Sequence, residues 1–312
     1  MALAPLPPST VELEGPFAHE FVHTRGIRLH VAIAGDSADP LVVFIHGAFG
    51  GWFDFQEVIG PLAQCGYHVA AVDMRGFGMS DKPPIDPGQD IRTLVGDLDG
   101  LIQALGHEDA YIVGADTGGA VAWCLAAERP NRVRGLVSVS AAHPVDIRRA
   151  IAARPWDFGW MILRSLLCHL PKVTRANTLL LSPRAYRKEL SLDTGPALAD
   201  ATLESILALR LRASQIGKVR RGILWNHRMR TAVVPLNWSE LAVKRPVLFI
   251  HAQQRLWTPL IQRASLRARA GFSATSIPGA KNLPFLEAPE EFVDELRRWL
   301  DAVGDRASAW GA

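Results

Sequence analysis

The sequence predicts an α/β fold on a mostly parallel sheet, with a helical insertion in its later half. Three observations carry this. The short, wholly apolar runs LVVFI, YIVG and LVSV suit strands buried on both faces. Helix-like stretches alternate with such strands through the first half. The strand signal then stops at about His143 and resumes only at Pro246.

Taken in order, β-branched and apolar runs predict strands at Phe21–His23, Arg28–Ala34, Leu41–His46, His68–Asp73, Ala110–Ala115 and Val133–Ser140. Helical texture falls between them at Asp54–Cys65, Asp90–Leu105 and Gly118–Glu128. The stretch from His143 has apolar residues at helical spacing and is punctuated by Pro155, Pro171, Pro183 and Pro196. Strands return at Pro246–His251 and Ala274–Pro278, and a long helix is expected over Pro289–Val303. The expected organisation is therefore a core of residues 1–142 and 244–312 interrupted by a helical cap, 143–243.

Composition narrows the class. Of 312 residues, 48% are hydrophobic and 21% charged, which excludes a disordered or collagen-like chain. No apolar run approaches the roughly 18–20 residues that span a membrane, and the first residues lack the basic start and apolar stretch of a signal peptide. The three cysteines have no metal or redox spacing, so a reduced, cytoplasmic protein is expected. The net charge of +3 argues against a nucleic-acid binder. That total hides an asymmetry: residues 143–243 hold 16 basic and 7 acidic residues. Solvated helical faces account for this, and so does a lid that receives an anionic small molecule or an acidic carrier protein.

Three motifs follow strands. They are His46-Gly47-Ala48-Phe49-Gly50-Gly51-Trp52, then Asp73-Met74-Arg75-Gly76-Phe77-Gly78, then Gly114-Ala115-Asp116-Thr117-Gly118-Gly119. The last has the glycine spacing of a nucleophile elbow, with Asp116 at the nucleophile position. A helix N-terminus there offers backbone N–H groups to developing negative charge.

In these motifs, with Ala142-His143-Pro144 and Leu286-Glu287-Ala288-Pro289, the chain resembles the α/β-hydrolase superfamily. Within it, the match is to the epoxide hydrolase and haloalkane dehalogenase branch. The resemblance implies an eight-stranded α/β-hydrolase fold with a cap after the sixth strand. It also implies Asp116 as the nucleophile and Ala48 and Thr117 as oxyanion-hole residues. Phe49, Tyr186, Trp225, Trp156, His143 and Trp257 are candidate substrate contacts. The family's histidine position reads Asn282, in Gly279-Ala280-Lys281-Asn282-Leu283-Pro284, and its acid position reads Arg255. Thr117 stands where dehalogenases keep a tryptophan, and Tyr186 is the one tyrosine of residues 143–243, where epoxide hydrolases use two.

His251 is a candidate surrogate base, or a strand-end histidine bonded locally. Asp146 is a candidate acid, or a helix cap. No phosphate loop, dinucleotide fingerprint or metal-spaced cluster is present, so no cofactor and no metal is expected. The expected function is an enzyme using Asp116, with Asn282 orienting an apolar substrate, in a non-hydrolytic epoxide opening, cyclisation, elimination or rearrangement. An apolar lid would raise the pKa of Asp116 for that task. Hydrolysis through a surrogate base and a non-catalytic binding protein are the alternatives.

Overall fold

The computed structural model describes residues 4–85, 89–169 and 180–310. Eight strands form one sheet: β1 (Ala18–Thr24), β2 (Ile27–Ala34), β3 (Leu41–Ile45), β4 (His68–Val72), β5 (Ala110–Ala115), β6 (Val133–Val139), β7 (Val247–Ile250) and β8 (Phe272–Thr275). Their order is β1-β2-β4-β3-β5-β6-β7-β8. The β1–β2 and β2–β4 pairs are antiparallel, and all others are parallel. Arg25 and Gly26, with φ of 44° and 79°, make the two-residue turn of the β1–β2 hairpin. Every residue of β3, β4 and β5 is buried, as their unbroken apolar sequences require.

Register aligns the strand ends that carry the motifs. Ile45 pairs with Val72 and Gly114, Gly114 with Ser138, and Val139 with Ile250. The loops that follow these residues therefore share one rim, where open parallel sheets place their ligands.

Three expected elements shift. The last strand is Phe272–Thr275, not Ala274–Pro278, because the ladder with β7 runs only from Val247↔Phe272 to Ile250↔Thr275. Ile277 is buried in the loop beyond, which explains its apolar character without a ladder. The elbow helix begins at Asp116, not Gly118. The final helix runs on from Pro289 to Trp310.

Between β6 and β7 the described chain contributes no strand to the sheet. Its longer helices are Pro144–Ala153, Gly159–His169, Pro183–Asp193, Asp200–Ser214 and Val219–His227. Pro155 and Pro183 sit at helix starts, where a missing N–H costs nothing. Pro171 lies outside the described residues. The excursion is fastened to the sheet layer by a buried ion pair, Arg210 Nε and Nη2 donating to Asp54 at 3.2 and 2.9 Å. No helix among the described residues is long and apolar enough to cross a membrane.

Candidate active site

A cavity of about 200 Å³ lies at this rim, under the excursion. Asp116 enters it from the β5 elbow, Gln254 and Trp257 from beyond β7, and Asn282 from beyond β8. Trp160, Arg164, Glu189, Asp193 and Arg230 enter from the excursion.

The elbow is tight for a reason that can be measured. A Cβ on Gly118 would stand 2.4 Å from the Ile45 carbonyl oxygen, and one on Gly114 would stand 2.7 Å from Gly119 Cα. Only glycine lets the helix start this close to β3. The turn forces Asp116 to a φ of 50°, in the left-handed region, a strained setting for a non-glycine residue.

The Asp116 carboxylate is well bound. Its Oδ2 accepts from Ala48 N at 3.1 Å and from Thr117 Oγ1 at 2.9 Å. Ala48 N–H, an expected oxyanion donor, thus gives its bond to the carboxylate itself. The Arg230 guanidinium pairs with Oδ1. The expected apolar roof over Asp116 is therefore a cation. Burial pushes the Arg230 guanidinium down to about 10, so it keeps its charge at neutral pH.

Asn282 sits in a hydrogen-bonded chain. Trp257 Nε1 donates to Asn282 Oδ1 at 3.2 Å. Asn282 Nδ2 donates to Asp193 Oδ1 at 3.0 Å, and Asn282 N donates to the Asp193 carbonyl at 2.8 Å. The Asn282 loop is held by Glu287 Oε1, which accepts from Lys281 N and Leu283 N at 2.9 and 3.1 Å. Burial raises the pKa of Asp193 against the opposing pull of Arg164, the Asn282 amide, Arg210 and Lys281. Glu189 pairs with Arg164 and accepts from Trp160 Nε1 at 3.1 Å.

Asp116, Thr117, Ala48, Asn282 and Trp257 are thus brought together. Other expected residues stand elsewhere. His251 Nδ1 bonds to the Ala252 carbonyl at 2.9 Å, and the ring does not line the cavity. Asp146 is held by Arg267 through two bonds of 2.7 and 3.0 Å, inside the scaffold. His143 is buried and caps the next helix, its Nδ1 accepting from Val145 N at 3.3 Å. Burial holds its pKa well below the usual histidine value. Phe49 lies one layer behind the cavity wall, against Arg164 and edge-on to the buried Tyr186 ring. Burial raises the Tyr186 pKa. Trp225 lines a separate depression with Arg75, Lys82, Lys218 and Arg221. Trp156 is 76% exposed. Arg255 is exposed, and Gln254 beside it faces the cavity instead.

Arg164, Glu189, Asp193 and Arg230 escaped the sequence reading because their partners lie on other elements at no fixed spacing. One signal was available. Residues 143–243 carry only 7 acids, and Asp157, Glu189 and Asp193 among them line the cavity.

Comparison with known proteins follows the same lines. Residues 40–277 match the alpha/beta hydrolase fold family. AB hydrolase superfamily protein YfhM of Bacillus subtilis is 44% identical over 125 residues, which is 40% of this chain and 44% of that protein. Epoxide hydrolase 3 of Xenopus tropicalis is 27% identical over 290 residues, covering 90% of this chain and 77% of that protein. The crystal structure of epoxide hydrolase A from Mycobacterium thermoresistibile superposes with a TM-score of 0.73 at 26% identity, over 91% of this chain and 98% of that one. The curated relatives of highest identity are matched over only 35% to 44% of their own length. Elbow, strand order and sequence match agree: the chain belongs to the alpha/beta hydrolase fold family and is similar in sequence to epoxide hydrolases.

Proposed function

We propose that this chain is an enzyme that opens an epoxide or a comparably activated small molecule without adding water, by internal ring opening, cyclisation, elimination or rearrangement. Asp116 is its carboxylate base or nucleophile. One observation carries the reading: the position that should supply the water-activating base is Asn282, tied to Asp193 and Trp257. Among the described residues no histidine lines the cavity. An amide has no proton to exchange near neutral pH, so the usual second half of a hydrolytic cycle lacks its base. Epoxide as the substrate class comes from the relatives' names.

The lining also bears on charge. It holds Asp116, Asp157, Glu189 and Asp193 against Arg164 and Arg230. Each arginine already has a carboxylate partner. A neutral, compact, largely apolar substrate fits this balance better than an anion.

The relatives favour a second reading, hydrolysis, in which Asp116 attacks carbon and another group activates water. A single turnover in heavy-oxygen water, run with an epoxy alcohol whose hydroxyl can reach the ring, separates the two. Product free of label is expected, and Asp116→Asn should lose at least about a hundredfold in rate. Label in the diol product or in the Asp116 carboxylate establishes hydrolysis. Undiminished turnover in Asp116→Asn overturns the role of Asp116, and a wild type that binds the probe without turning it over marks a binding protein.

A further inference from the structure

We propose that Asp193 is the general acid of this site, a carboxyl group brought in by the helical excursion and clamped by Asn282 within the cavity that holds Asp116. The inference rests on the non-hydrolytic reading above and assigns it a proton donor.

The clamp has two prongs. Asn282 N holds the Asp193 carbonyl and Asn282 Nδ2 holds Asp193 Oδ1, at 2.8 and 3.0 Å. The Trp257 indole N–H occupies Asn282 Oδ1, which fixes the amide so that its NH2 group faces Asp193. The residue at the vacated histidine position therefore presents a different titratable group to the cavity.

Asn282 Nδ2 takes Asp193 Oδ1, so Oδ2 is the oxygen assigned the proton that passes to a ligand. Glu189, four residues earlier on the same helix, is engaged by Arg164 and Trp160, so it is not equivalent.

Asp116 and Asp193, two of the four carboxyl groups lining this cavity, stand in different settings. Asp116 touches a guanidinium and a backbone N–H. Asp193 is faced by Arg164 from the Gly159–His169 helix, Arg210 from the Asp200–Ser214 helix, and Lys281 from its own clamp loop. Burial outweighs all of them and favours the neutral acid. A carboxyl whose neutral form is favoured, in one cavity with a carboxylate held by a guanidinium, supplies the acid to that base.

The step balances without another reactant. The substrate hydroxyl gives its proton to the Asp116 carboxylate as its oxygen bonds to an epoxide carbon. The carbon–oxygen bond of the ring breaks, and the released oxygen takes the proton of Asp193. Transfer of one proton from Asp116 to Asp193 restores the enzyme, and the product is an isomer of the substrate.

The test uses the intact protein with isotope-labelled aspartate carboxyls, titrated by NMR. The signal missing from Asp193→Asn should titrate above the ordinary aspartate value of about 3.9. Asn282→Leu, which removes a donor that favours the ionised form, should move it further up. If Asp193→Asn does not fold, the signal displaced in Asn282→Leu identifies the group. A midpoint at or below the ordinary value, or one that Asn282→Leu leaves in place, overturns the proposal.

Turnover of the epoxy alcohol gives the second arm. Asp193→Asn should slow it by at least about a hundredfold and remove the alkaline limb of the pH profile. Loss of turnover in Asp116→Asn with none in Asp193→Asn overturns this inference and leaves the proposed function standing. Unchanged turnover in both variants overturns both.

Discussion

Asp146→Ala is expected to damage stability rather than chemistry. Asp146 and Arg267 are 3% and 7% exposed. Arg267 makes two bonds to the Asp146 carboxylate and three to backbone carbonyls, two to Ser239 and one to Leu241. Removing the carboxylate leaves a buried guanidinium with the carbonyls alone. Breaking such a pair from one side costs about 3–5 kcal/mol. The surviving carbonyl bonds place the loss at the lower end, about 3 kcal/mol. Urea unfolding followed by tryptophan fluorescence reads it directly. Asp146→Leu combined with Arg267→Met should recover only part, because the Ser239 and Leu241 carbonyls then lose a donor, at about 1 kcal/mol each. A loss below about 1 kcal/mol in the single variant would contradict the scaffold role. So would a large fall in turnover at unchanged stability.

Three further outcomes follow. His143 and His46 are both buried with pKa values held below 6.5. Each stays neutral when folded and takes a proton on unfolding. Their contribution is complete above about pH 6.5 and is lost as pH falls from there toward the folded values, with a slope of up to about 1.4 kcal/mol per pH unit for each group. His143→Asn, which keeps a helix-capping side chain, should flatten that slope; an unchanged slope counts against the assignment. Gly118→Ala should cost about 1–3 kcal/mol or prevent folding, since its new methyl meets the Ile45 and His46 carbonyl oxygens at 2.4 and 2.6 Å. Gly159→Ala, which meets nothing within 4 Å, should instead stabilise by about 0.4–1 kcal/mol in the same urea assay.

What could be read from the sequence was whatever local chemistry dictates. The runs that became β3, β5 and β6 are apolar because both of their faces are covered, so period and composition sufficed. Asp116 was legible because its glycines are required by backbone contacts that leave no room for a side chain. The Asn282 substitution was legible as a departure, but its partner was not. Asp193 lies 89 residues away and reaches Asn282 through the packing of a separate helix. The pairs Arg230–Asp116 and Arg164–Glu189 join different elements in the same way. Helical spacing likewise could not say which face of its segment Trp156 occupies, and the solvent face won. Ile277 misled because a buried apolar residue in a loop looks like one in a strand.

The placement of the excursion has a consequence for synthesis on the ribosome. Residues 140–246 separate β6 from β7, its partner in the sheet. At roughly 5–20 residues per second, the free side of β6 waits about 5–20 s for its neighbour. For that interval a largely buried strand of the finished protein is an unpaired edge, open to pairing with other chains. The elbow bearing Asp116 is made before that wait begins, whereas Asn282, which fastens Asp193, emerges only after it ends. Yield of folded protein should therefore depend on translation speed and chaperone supply more steeply than the stability of the finished fold would suggest.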